Sequence, residues 1–350
     1  MKGNLLRNLA LASALFASAA LAGCSGEAAA GGGSEARAET YFIFDTVVTV
    51  KVFDERADDA TFEHIRELLE RIDATMSRQV ETSEISGVNR MAGVEPVRVS
   101  EETFRLVEKG IRYWKDSGGK FDPAIGPLVD VWDIGSDAPR KPSVEEIQSA
   151  SALVDADNVV LDDTATSIYL TEPGMSLDLG AIAKGYAGDV VADYLRAEGL
   201  NSAIVDLGGN IVAVGEKAAG KPWTIGVQDP EDARGASIGS LKAVDQTIVS
   251  SGVYERFFIE DGVRYHHILD PATGYPVDNE LLSVTILTER SADADALSTA
   301  AFALGLADGM AFVESTEKTE AVFITASREV YLSSGLRDSF RLTSDKYALK

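Results

Sequence analysis

A chain of 350 residues with one cysteine, Cys24, can close no disulfide within itself and build no thiolate metal cluster. Its fold must therefore be held by core packing. The material is present: 45% of the residues are hydrophobic, enough for the core of one large or two modest domains. That apolar content is laid out in alternating periods. Phe62, Ile65, Leu69, Ile72 and Met76 recur at helical spacing. So do Phe104, Val107, Ile111 and Trp114 after Ser100, in a helix closed by Gly118-Gly119. Ser143 with Glu146 makes a capping box for a short helix. Ile182, Tyr186, Val190, Tyr194 and Leu195 mark another, closed by Gly199, and a last one starts near Asp293.

Strand patterns fill the intervals. Tyr41 to Phe53 reads as one strand, Val159 to Leu161 with Ser167 to Leu170 as a hairpin, and Ala203 to Leu207 as a buried strand followed by Ile211 to Val214. Further strands are expected near Trp223–Val227, Thr247–Val249, Phe257–Ile259, Ser283–Leu287, Ala321–Thr325 and Val330–Ser333. Glu81 to Asn89 reads as a surface loop or short helical turn, and Lys120 to Val129 as a loop whose two prolines and glycine break both periods. The fold class is α+β, with mixed β-sheets and packed helices. Helix plus strands twice over allows two related α/β halves, although no repeat of fixed period is visible.

The N-terminus has its own grammar. Lys2 and Arg7 precede an apolar run from Leu9 to Ala22 that contains no acid and is too short to span a bilayer. Residues 1–23 therefore read as a secretory signal. The signal ends at Leu21-Ala22-Gly23-Cys24, which resembles the lipobox of bacterial lipoproteins and implies acylation of Cys24. Residues 24–39, rich in Gly, Ala, Ser and Glu, read as a flexible tether, and 40–345 as a single domain. The expected location is thus a cell membrane, held by lipid, facing the periplasm or the cell exterior. The formal net charge of −24 disfavours nucleic acid and anionic lipid surfaces as partners.

Candidate chemistry gathers between Ser250 and Gly305. Asp295 and Thr299 stand four apart on an expected helix, so both oxygens lie on one face. With backbone carbonyls they would suit a hard cation. The same spacing suits an Asp placed in the first helical turn for dipole and capping reasons and a Thr bonded back to a carbonyl, and spacing alone does not choose. His267 lies at the end of a strand before the Pro-fixed turn Asp270-Pro271, where an imidazole can accept a proton or simply brace the turn. His266 should face the opposite way. Lys184 begins a helix after Asp178 and Gly180, an address suited to phosphate, although no Walker spacing is present. There is no GxGxxG, GxSxG, CxxC or HExxH motif, but Ser250 or Ser251 with His267 leaves hydrolysis by a serine open.

Taken together the stretches resemble the ApbE family of bacterial FAD:protein FMN transferases, over roughly Thr40 to Leu342. The pieces are Phe44-Asp45-Thr46, Ser83-Glu84-Ile85-Ser86 with Asn89, Phe121-Asp122-Pro123 through Trp132, Asp178 through Tyr186, Gly208-Gly209-Asn210, Ser250-Ser251-Gly252, His267 through Pro271 with Thr273-Gly274, and Asp295 to Thr299. The resemblance implies a Mg²⁺-dependent site in which FAD is the substrate. Its FMN half is moved to a threonine hydroxyl of an acceptor protein carrying a flavinylation motif, and AMP leaves. It implies Mg²⁺ on Asp295, Thr299 and the backbone oxygen of Ala181. FAD contacts are implied for Phe44, Phe121, Asp122, Asp178, Lys184, His267 and Leu269, and catalytic roles near the reacting phosphates for His267 and Asp270. Many members read Met-Gly-Thr where this chain reads Phe44-Asp45-Thr46. The same residues would serve an FAD pyrophosphatase, with water as acceptor, and a flavin-binding lipoprotein without turnover is a third reading.

Overall fold

The computed structural model describes residues 36–218 and 220–350. The expected signal, the lipobox and residues 24–35 of the tether lie outside the described residues. In chain order the elements are β1 (Arg37–Ile43), β2 (Thr46–Val52), α1 (Asp59–Met76), α2 (Glu84–Arg90), β3 (Val97–Arg98), α3 (Glu101–Asp116), α4 (Gly126–Trp132) and α5 (Val144–Ser151). Then come β4 (Val159–Asp162), β5 (Ser167–Leu170), α6 (Ala183–Ala197), β6 (Ser202–Leu207), β7 (Asn210–Gly215), β8 (Trp223–Gln228), β9 (Ser237–Ala243) and β10 (Gln246–Gly252). The remainder is β11 (Phe257–Glu260), β12 (Val263–His266), β13 (Leu281–Thr288), α7 (Ser291–Glu314), β14 (Glu320–Thr325), β15 (Glu329–Leu332), β16 (Arg341–Leu342) and β17 (Ala348–Leu349).

A nine-stranded sheet runs β1-β2-β6-β7-β10-β13-β14-β15-β17. Its order explains why helix and strand patterns recur. β1-β2 is a hairpin, a helical excursion ending in α6 follows, and β6-β7 return beside β2. β10-β13 are likewise paired, α7 follows, and β14-β15 return beside β13. The antiparallel β7–β10 pairing joins the two sets. The mixed α+β architecture anticipated from the sequence is therefore present, with two halves alike in strand and helix order.

The sheet is covered on both faces, so its strands read as near-continuous apolar runs. Along β14, Ala321 and Phe323 face the main core with Ile65, Leu297 and Phe302, while Val322 and Ile324 face a second core with Trp223, Ile225 and Leu241 of a small β16-β9-β8 sheet. α7 is apolar on all sides, as a fully packed helix must be. By length and hydropathy it could cross a membrane, but much of it is buried in the core. It kinks at Gly305 (φ 81°), where Asn279 Nδ2 donates to the Phe302 carbonyl and Glu280 accepts from the Leu306 N–H.

Two expectations need correction, and the choice between loop and helical turn at Glu81 to Asn89 is settled. Tyr41 to Phe53 is two strands, turned at Phe44 and Asp45 with φ of 55° and 53°. The alternation runs through the turn and hides it. Glu84–Arg90 is a helix, capped by the Ser83 hydroxyl accepting from the Ser86 N–H. Within the supposed loop, Pro127 opens α4, where a missing N–H costs nothing. α4 and α5 enclose a third small core in which Trp132 Nε1 donates to the Gly274 carbonyl at 2.7 Å.

Candidate active site

The site begins where the two halves meet. α6 and α7 cross at their first turns, and Gly185 makes the approach possible: a Cβ there would lie 2.1 Å from the Ser291 carbonyl oxygen. The Gly185 N–H then donates to Asp295 Oδ2 at 3.0 Å, and Lys184 Nζ lies 3.9 Å from the same oxygen. Asp189, also on α6, accepts from the Ser291 and Ala292 N–H groups at 2.7 and 3.0 Å. It supplies the cap that Arg290 at the N-cap does not.

Beside this junction lies a cleft of about 510 Å³. Its wall includes Phe121, Asp122, Asp178, Ala181, Lys184, His267, Leu269, Asp295 and Thr299, nine of the residues singled out from sequence. Two are not in the wall. Phe44 packs against the main core, and its neighbours Asp45 and Thr46 face the cleft instead, because the hairpin turns there. Asp270 is engaged in its own turn, ion-paired to Lys120 Nζ at 3.0 Å and accepting from the Ala272 N–H.

Asp295 is 4% exposed, and its buried carboxylate is met by an amide and a lysine. Ser251 Oγ lies 2.8 Å from Ser298 Oγ and 3.4 Å from Thr299 Oγ1, which orients the Thr299 hydroxyl. Among the described residues no group of three His, Cys, Asp or Glu gathers as a metal site, and no hydrogen-bond donor reaches the Ala181 carbonyl. What stands here is one carboxylate, one hydroxyl and one free carbonyl, an oxygen-only set that suits a hard cation whose remaining ligands come from substrate and water.

Asp178 accepts from the Gly180 N–H at 2.7 Å and from Arg78 Nη1 at 3.2 Å. Arg78 also grips Asp130 at 2.6 Å, so it ties α1 to α4 and to the strip before α6. Asp122 is buried, accepts from the Ala124 N–H at 2.7 Å, and is pushed by desolvation up to about 6. The two adjacent histidines part company. His266 is buried, with Nε2 2.9 Å from the Val277 carbonyl and its ring against Phe302. His267 opens to the cleft, with Nδ1 3.3 Å from the Arg256 carbonyl oxygen. Desolvation inside the cleft, then the nearby His266, Lys184 and Arg256, pushes its pKa down although the ring keeps an exposed edge. With Nδ1 donating to the carbonyl, Nε2 keeps a lone pair.

Several site residues had no signal of their own. Arg78, Asp189, Arg234, Tyr254 and Arg256 were not distinguishable along the chain, since their partners are remote in sequence. Tyr254 Oη and Asn210 Nδ2 are buried, belong to residues lining the cleft, and have no hydrogen-bond partner among the described residues. Such groups await a ligand or ordered water. Lys120, Lys184, Arg234 and Arg256 bring positive charge to a wall that also carries the carboxylates of Asp45, Asp122, Asp178, Asp232, Glu255 and Asp295.

Residues 44–323 match the model of the ApbE family. An FAD:protein FMN transferase of Klebsiella pneumoniae (strain 342) is 42% identical over 285 residues, which is 81% of this chain and 88% of that protein. One from Treponema pallidum (strain Nichols) is 35% identical over 338 residues, 91% of this chain and 93% of that protein. Among solved structures, the ApbE protein of Thermotoga maritima MSB8 superposes with a TM-score of 0.81 at 33% identity, covering 88% of this chain and all of that one. The flavin transferase ApbE of Vibrio cholerae gives 0.72 at 29% identity, over 89% of this chain and 99% of its own. With this match spanning the cleft and both helices that form it, the chain belongs to the ApbE family.

Proposed function

We propose that this protein is an FAD:protein FMN transferase that joins the FMN half of FAD to a threonine hydroxyl of an acceptor protein. The threonine oxygen bonds to the phosphorus of the FMN moiety, the pyrophosphate P–O bond breaks, AMP leaves, and the hydroxyl proton passes to a base. The observation that carries this reading is the convergence, in one cleft of an ApbE-family chain, of Lys184 and Arg256 with the Asp295, Thr299 and Ala181 oxygens and the His267 ring.

Lys184 and Arg256 favour a pyrophosphate in the cleft, and Asn210 Nδ2 and Tyr254 Oη are donors without partners on the same wall. Phe121, Asp122, Asp178 and Leu269 shape the flavin nucleotide's seat, with Asp45 and Thr46 where Phe44 was expected. Asp295, Thr299 and the Ala181 carbonyl would hold Mg²⁺, which supplies positive charge to phosphate oxygens during transfer. His267, with Nδ1 committed to the Arg256 carbonyl and its basicity lowered, offers a neutral Nε2 acceptor to the groups that react in the cleft. Asp270 acts at one remove: its pairing with Lys120 fixes the turn that follows His267.

The N-terminal pattern supports a lipid on Cys24 and an enzyme tethered to a membrane, facing the periplasm or the cell exterior. The test of the activity is direct. Purified protein is incubated with FAD, Mg²⁺ and a flavin-accepting protein, and the acceptor's mass is measured. A gain of one FMN with release of AMP is expected; FMN and AMP released with no acceptor modified would make it a pyrophosphatase instead.

A further inference from the structure

β11 and β12 form a two-stranded sheet that joins no other strand among the described residues. They turn tightly at Asp261-Gly262, with φ of 52° and 78°. Both ends of this hairpin sit in the cleft: Arg256, just before β11, and His267, just after β12, line it. The His267 N–H donates to the Arg256 carbonyl at 3.1 Å and closes the base.

The hairpin's two faces differ. Phe258 stacks on Tyr265, whose ring lies against Trp132, and Glu260 accepts from the Lys141 N–H, so this face is anchored. The other carries Phe257 and Ile259, 41% and 62% exposed, with the Arg264 guanidinium 4.6 Å from the Phe257 ring centre. Because Arg256 and His267 bond inside the hairpin, antiparallel alternation turns the N–H and C=O of Phe257 and Ile259 outward. No backbone or side-chain partner among the described residues meets them. The strand reads Phe-Phe-Ile-Glu, without the proline, lysine or bulge that usually blunts an open edge.

The geometry points to β11 as the docking strand for the acceptor protein: an extended acceptor segment pairs with its free edge as a third strand, rests apolar side chains on Phe257 and Ile259, and runs past Arg256 into the cleft. This rests on the transferase reading. The acceptor is the occupant because the open edge is continuous with the cleft that its hydroxyl must enter. A threonine drawn into that cleft takes its backbone with it, and backbone groups leaving water need partners. Strand addition supplies them without demanding a particular sequence from the acceptor.

Two variants separate the parts of this idea. Ile259→Pro deletes an outward N–H and spares the inward ladder, which edge strands tolerate. The double variant Phe257→Thr with Ile259→Thr keeps the backbone and strand propensity and removes the apolar face. With full-length protein, FAD, Mg²⁺ and a folded flavin-accepting protein, each variant should raise the KM for acceptor roughly tenfold, as the loss of one or two ladder bonds or their apolar cover would. The KM for FAD, FAD binding followed by flavin fluorescence, and Tm should stay at wild-type values. An unchanged acceptor KM in the folded double variant overturns the docking, as does a parallel rise in the KM for FAD. So does a wild-type dimer that Ile259→Pro dissociates, since the edge would then serve a second copy of this chain. A wild-type protein that moves no FMN refutes the transferase reading and the docking together, whereas active wild type with unaffected variants refutes the docking alone.

Discussion

Gly185→Ala tests the junction on which the site rests. A methyl group at Gly185 would be placed 2.1 Å from the Ser291 carbonyl oxygen and 2.7 Å from Ala292 Cα, and both are backbone atoms of α7. An ordinary carbon–oxygen contact is about 3.3 Å, so the helices must part by about 1 Å. Overpacking of this kind costs about 1–3 kcal/mol, against a gain of about 1 kcal/mol from replacing glycine by alanine in a helix. The net loss should be about 0–2 kcal/mol, a fall in Tm of at most a few degrees for a chain of this size. The consequence for the site should exceed that for the fold, because the Gly185 N–H that orients Asp295 moves with the helix. Gly188→Ala on the same helix is the internal control. Its Cβ would meet side-chain atoms and no backbone among its nearest neighbours, Leu207 and Val212 methyls at 3.0 Å and the Ser291 hydroxyl at 3.3 Å, and these can yield. Thermal unfolding followed by circular dichroism, with Mg²⁺ and FAD affinities from calorimetry, should show Gly185→Ala weakened in both respects and Gly188→Ala close to wild type. Gly185→Ala as stable as wild type, with unchanged affinities, would refute the close approach as the source of Asp295 placement.

Asp122 should give the protein a pH signature: its folded pKa of about 6 is above the unfolded 3.8, so its contribution to stability is complete below pH 4 and is lost as pH rises through 6. The two-unit difference amounts to about 3 kcal/mol, and Asp122→Asn, which keeps the oxygen that accepts from Ala124, should flatten the stability profile between pH 4 and 6; identical slopes in denaturant titrations would reject this. Ser251→Ala removes the hydroxyl beside Thr299 and should cost about 1 kcal/mol and weaken Mg²⁺ binding by calorimetry, while unaltered Mg²⁺ affinity would free Thr299 of any dependence on it. Trp132→Phe leaves the Gly274 carbonyl unpaired in the third core and should cost about 1–3 kcal/mol in urea unfolding, with a loss below 0.5 kcal/mol counting against that bond.

What could be read from the sequence, and what could not, divides along a physical line. α1, α3, α5 and α6 were legible because apolar spacing and caps are local: Ser143 and Glu146 bond to each other across three residues. The β1–β2 turn was hidden because Phe44 and Asp45 carry φ > 0 with no glycine to announce it. β9 was missed because its run, Ser-Ile-Gly-Ser-Leu-Lys-Ala, is short of apolar residues and depends on β8 and β16 for its place. The site divides in the same way. Lys184, Asp295, Thr299 and His267 occupy positions that a helix start or a strand end makes conspicuous. Arg78 and Asp189 work through partners about a hundred residues away, which only the folded chain brings near.

The Ser250–Gly305 stretch supplies one helix start and one histidine, and neither is a site by itself. The resemblance of the two halves explains why the rest is where it is. Each half sends a helix back across the sheet, and at the seam where β7 pairs with β10 the first turns of α6 and α7 are brought together. Asp295 receives an amide from the other helix, Asp189 caps α7 from α6, and Lys184 Nζ lies 3.9 Å from the Asp295 carboxylate. A carboxylate with amide and lysine already in contact is held in one geometry before any ligand arrives. Preorganisation of that kind is what phosphoryl-group transfer asks of a protein that does little covalent chemistry itself. The same seam makes the site vulnerable to changes in either half, which is why a single methyl group at Gly185 should disturb chemistry carried by α7.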